Sequence, residues 1–157
     1  MRDFNIRSSI NTPKKFDGVS AEQEFSKLKF DSKWISCGAT REMVEFAEKA
    51  AEYMGEKGLT ASKIRSVYGE IKRIQMKKFE EEQTAFYLLK PKVAYAVGRE
   101  KANGGRDAKD MVEAIKLFQI IFNNCFNYIK DDATYKNFCN FMESLVAYHK
   151  VYQKKQD

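Results

Sequence analysis

The 157-residue chain has only two prolines, one tryptophan and one histidine. Pro13 and Pro91 stand far apart, which leaves most of the chain open to long helices. The three cysteines, Cys37, Cys125 and Cys139, are odd in number and sit at no zinc or redox spacing. That excludes a disulfide framework and a cysteine-built metal site. Cys125 and Cys139 fall among large apolar residues and read as core fillers. No stretch approaches the roughly 18 apolar residues of a membrane span. Residues 1–10 carry no apolar core of signal-peptide length. The expectation is a cytoplasmic chain with no membrane contact. Its length suits one domain with a core large enough to stand without staples.

The single histidine also thins out the enzymatic options. His149 falls at core spacing between Leu145 and Tyr152, where a packed or interface histidine is expected rather than a general base. No second histidine exists for a metal site, and no local motif pairs His149 with a serine or cysteine nucleophile. Gly98, Gly104 and Gly105 lack the Lys and Ser/Thr offsets of a phosphate-cradling loop. Glu80, Glu81 and Glu82 read as a solvated helix end. No enzyme, no cofactor and no metal are expected.

Positive charge is present, and it is concentrated. Residues 60–99 hold nine Lys/Arg against four Asp/Glu, so this segment supplies +5 of the formal net charge of +6. A basic stripe on one part of a small domain suits a polyanion-binding face. A solvated helix face would look the same from charge alone.

Apolar periodicity is helical throughout, and no strand alternation is sustained. Thr40 caps a first helix whose stripe is Met43, Phe46, Ala47, Ala50, Ala51 and Met54; Gly55 and Gly58 end it. A second helix starts near Thr60 with Ile64, Val67, Tyr68, Ile71 and Ile74 inward. Lys63, Arg73 and Lys77 line one flank of that stripe, with Arg65 and Lys72 on the other. A third pattern over 83–103 carries Phe86, Leu89, Val93 and Val97. Pro91 either kinks it or opens a fresh helix. Tyr95 and Tyr148 are expected to be buried with bonded hydroxyls. A fourth helix covers about Asp107–Lys130. After an Asp131-Asp132 turn, a fifth covers about Ala133–Gln153.

Residues 1–39 differ. Phe4, Phe16, Phe25, Phe30 and Trp34 are scattered without clean period. The segment Asn11-Thr12-Pro13-Lys14-Lys15 signals a turn. A short helix from Val19 to Leu28, capped by Ser20, fits between. The expected organisation is an irregular extension over 1–39 and a helical bundle over 40–157. The fold class is all-α, a compact bundle of about five helices.

Three words in this frame carry a resemblance. They are Gly58-Leu59-Thr60-Ala61-Ser62-Lys63-Ile64-Arg65, Lys92-Val93-Ala94-Tyr95-Ala96-Val97-Gly98-Arg99, and Phe141-Met142-Glu143-Ser144-Leu145-Val146-Ala147-Tyr148-His149-Lys150-Val151-Tyr152. In order and on an all-α chain, they resemble the small helical subunit of the type III-A CRISPR (Csm) effector complex over residues 58–157. The resemblance implies a non-catalytic subunit of an antiviral ribonucleoprotein. Such a subunit stacks in copies beside backbone and large subunits, along CRISPR RNA and target RNA. It also implies RNA contact at Lys63, Arg65, Lys92 and Arg99. The charge map adds Arg73, Lys77 and Lys78. Phosphate contacts hold nucleic acid without reading sequence, which such a complex requires. The competing expectation is a basic assembly module that meets acidic faces of partner proteins.

Overall fold

The computed structural model describes residues 15–105 and 108–154. Phe4, the turn signals at 11–14, Asp107 and the tail from Lys155 lie outside the described residues. The all-α class holds, but the helix count is higher than about five. Among the described residues there are seven α-helices: α1 Ala21–Leu28, α2 Lys33–Ser36, α3 Arg41–Glu56, α4 Ala61–Gln75, α5 Gln83–Asn103, α6 Ala108–Phe126 and α7 Asp132–Tyr152. A 3-10 turn, Phe79–Glu82, leads into α5.

The additional helices are the two short ones in residues 15–39. Ser20 accepts from the Gln23 amide at 3.1 Å, and the Gln23 side chain accepts from the Ser20 amide at 2.8 Å, which starts α1. Asp31 accepts from the Lys33 amide at 2.9 Å and starts α2. The rings of this region share no helical period because they come from turns as well as helices. They meet in space: Phe25, Phe30 and Trp34 surround Phe46 and Phe141, with centroids 5.2–6.3 Å apart.

Helix α7 is the hub, packing on α2, α3 and α4, while α6 packs on α1, α3 and α5. The α3–α4 corner closes on a Schellman pattern. Gly58, at φ +94°, donates to the Gly55 carbonyl, and Leu59 donates to the Met54 carbonyl, both at 3.0 Å. Leu59 is buried beside this turn and its carbonyl accepts from His149 Nε2 at 2.8 Å. The carbonyl can only accept, so Nε2 carries a proton.

That contact has a pH consequence. Burial pushes the His149 pKa below its usual range. In the unfolded chain the ring protonates near pH 6.5. The folded chain therefore binds fewer protons below that point, and stability falls as pH drops through 6.5. Thermal midpoints at pH 7.5 and 5.5 should show the loss. His149→Gln, which keeps a donor to Leu59, should be less stable at pH 7.5 and respond less to the same pH step.

Helix α5 runs through Pro91 without interruption. Proline removes the amide that would have bonded the Tyr87 carbonyl. Tyr87 and Pro91 are both exposed, so water can take the freed acceptor. No helix among the described residues is long and apolar enough to cross a membrane.

Candidate nucleic-acid interface

The seven sequence candidates separate into two groups, by what their charge already meets. Lys63 Nζ lies 2.8 Å from Glu100 Oε1, and Glu100 is buried. The pair ties the start of α4 to the end of α5. Arg73 lies 2.7 Å from Glu70 and 3.3 Å from Glu82, tying the end of α4 to the turn before α5. Lys77 is more loosely placed, 3.8 Å from Glu82. Hydrogen bonding from Arg73, with a smaller field from Lys92, holds the Glu70 carboxyl below its usual pKa. These cations brace the surface.

Arg65, Lys78, Lys92 and Arg99 are exposed and make no ion pair among the described residues. Three clusters result. Arg65 faces Lys150 and Lys154 across an open cleft of about 420 Å³ between the start of α4 and the end of α7, floored by Thr60 and Ser62. Lys77 and Lys78 meet Lys136 at the other end of the same helix pair, where Glu81 and Asp132 share the cleft. Lys92 and Arg99 lie on the outer side of α5, opposite its buried residues Phe86, Leu89, Val93 and Val97.

Lys136, Lys150 and Lys154 were absent from the sequence candidates. Their signal was faint, because the local charge of α7 is balanced and only the antiparallel packing of α4 on α7 brings them beside Arg65 and Lys78. Tyr95 corrects an expectation: it is 71% exposed, not buried. Its position between Val93 and Val97, both inward, puts it on the far side of a 3.6-residue turn. Tyr148 is half-buried. Lys90, which flanks the proline, places its ammonium 5.0 Å from the Phe126 centroid.

The described bundle is therefore an all-α, net-basic domain that carries unpaired cations on the outer sides of α4 and α5. The family model described as Csm2 Type III-A matches residues 38–155. A similar protein from Streptococcus thermophilus, described as "CRISPR system Cms protein Csm2", is 32% identical over 124 residues, covering 71% of this chain and 92% of the relative. No solved structure matches. The chain belongs to the Csm2 type III-A family, the small helical subunit that its three sequence words resemble.

Proposed function

We propose that this chain serves, without catalytic groups of its own, as the small subunit of a type III-A Csm ribonucleoprotein in antiviral defence. It holds CRISPR RNA and target RNA by their backbones and does not read sequence. Its partners are the backbone and large subunits and further copies of itself. The observation that carries this reading is the outer side of α5. Lys92 and Arg99 project from it with no ion pair among the described residues, and the helix's single acid, Glu100, is buried against Lys63. Phosphates are common to every RNA whatever its sequence, so cations of this kind hold it without reading bases. Arg65 with Lys150 and Lys154 forms a second contact, and Lys77 and Lys78 with Lys136 a third. Lys63 and Arg73 hold the helices that present them.

The second reading, a protein–protein assembly module, is favoured by Tyr87 and Leu88, adjacent exposed apolar residues at the start of α5. Affinity purification of the tagged chain from its host, with and without nuclease, separates the two. Short CRISPR-derived RNAs that co-purify with Csm subunits, and are lost when the cations are removed, support RNA holding. Partner recovery that survives nuclease but fails with the same cation changes supports the assembly module. Recovery of neither RNA nor Csm subunits would sink both.

A further inference from the structure

The only acid of helix α5, Glu100, is turned inward onto Lys63 at 2.8 Å. The outer side of the helix presents Lys92 and Arg99 with no acid of α5 between them, and Lys92 lies within the field of Glu70 on α4. Tyr95 stands at the centre of that side, 71% exposed. At about 100° per residue, Leu88, Lys92 and Arg99 lie within roughly 60° of it. Among the described residues its hydroxyl has no hydrogen-bond partner and its ring meets no other ring. The surroundings are shallow. Gly98 lies one turn on, and a Cβ there would meet nothing within 4 Å, so packing does not demand a glycine that weakens the helix. Exposed Pro91 and Ala94 add little height.

We infer that Tyr95 is a stacking platform for one unpaired nucleotide, held between backbone contacts at Lys92 and Arg99. The RNA crossing α5 is therefore single-stranded at that point. This rests on the reading that the face meets RNA and adds the form in which RNA meets it. An exposed ring beside cations suits unpaired bases of any identity, because every base has a π-face. A duplex keeps its bases stacked on one another and gives the ring nothing to cover. Lys92 and Arg99 are about 10 Å apart along the helix axis, so a strand held at both passes over Tyr95. The shallow floor left by Gly98 lets the ribose approach the backbone.

The test uses the full chain with an unstructured single-stranded RNA and a duplex RNA of equal length, titrated across salt. Tyr95→Ala should weaken single-strand binding roughly 5- to 100-fold, leave duplex binding unchanged, and leave the salt slope unchanged. Tyr95→Phe should bind within about twofold of the parent, since the ring and not the hydroxyl acts. Tyr95→Trp should show fluorescence quenching on adding the single strand. Lys92→Gln with Arg99→Gln should instead lower the slope. Unchanged single-strand affinity in Tyr95→Ala, with loss in the Lys92/Arg99 variant, would overturn the stacking role while the RNA reading stands. A Tyr95→Phe loss equal to that of Tyr95→Ala would also overturn it, in favour of a hydroxyl contact. So would partner recovery after nuclease that fails only in Tyr95→Ala, which would assign the ring to a protein. If the parent chain binds neither RNA at low salt, the reading of the face as an RNA site falls with it.

Discussion

Replacing Arg65, Lys92 and Arg99 together with glutamine is expected to lower RNA affinity roughly 50- to 150-fold at about 0.15 M salt. The estimate follows from counterion release. Each lost phosphate contact removes about 0.7–0.9 from the slope of log affinity against log salt. Three contacts flatten that slope by about 2–3, and extrapolation from 1 M to 0.15 M gives the affinity change. All three side chains are exposed and without ion pairs among the described residues, so the folded chain loses no close charge pair when they go. Helical circular dichroism should therefore be unchanged. Lys63→Gln makes the opposite pattern and serves as the control. It leaves the buried Glu100 carboxylate without its ammonium, which should cost about 1–3 kcal/mol of stability with a smaller effect on the salt slope. Equal slopes for the triple variant and the parent would remove RNA from the account of this surface.

The contrast between Lys63 and Arg65 shows where sequence stops. Both sit in one word at the start of α4, two residues apart, and charge counting treats them alike. Glu100, the residue that captures Lys63, lies on another helix and becomes its neighbour only through the antiparallel packing of α4 on α5. Charge counting also makes Arg73 a candidate: Glu70 pairs with it from one turn away, and Glu82 closes the pair from the turn before α5. Local signals fared better. Thr40 caps α3 and accepts from the Met43 amide at 3.1 Å, and Asp131 caps α7 and accepts from the Thr134 amide at 2.9 Å. These are contacts within one turn, and residue type alone specifies them.

Two other outcomes have physical causes. Of the two expectations for Pro91, a fresh helix is excluded because α5 continues through it, and the carbonyl that loses its amide lies on an exposed side of α5. Tyr95 reads as core because aromatics usually are. The wheel that puts Val93 and Val97 inward already placed it outside, and periodicity was the better guide than residue type. Phe25, Phe30 and Trp34 are opaque for a different reason. Their order comes from long-range contacts with Phe46 and Phe141, and no local period encodes such contacts.

Gly55→Ala is expected to destabilise the chain by about 2 kcal/mol or more, although the same change in an open helix position stabilises. Gly55 lies near the end of α3, where α7 crosses over it. A Cβ there would stand 2.5 Å from the Tyr152 carbonyl oxygen and 2.6 Å from its carbon. Both are backbone atoms, so no rotamer change relieves the clash and the two helices must separate. They form the most extensive packing in the bundle, and the same corner holds the His149–Leu59 hydrogen bond. Gly69 supplies the comparison. It lies on the outer side of α4, and a Cβ there meets nothing within 4 Å. Gly69→Ala should therefore gain about 1 kcal/mol from helix propensity alone. Urea midpoints of the two variants should move in opposite directions from the parent. Gly55→Ala should also disturb function, because the end of α7 carries Lys150 and Lys154 to the cleft shared with Arg65. Pushing that end away from α3 moves two cations while leaving every charge in the chain. A loss of RNA affinity with a lower salt slope at unchanged net charge would mark this displacement, whereas a stabilised Gly55→Ala chain would show that α3 and α7 do not approach as closely as described.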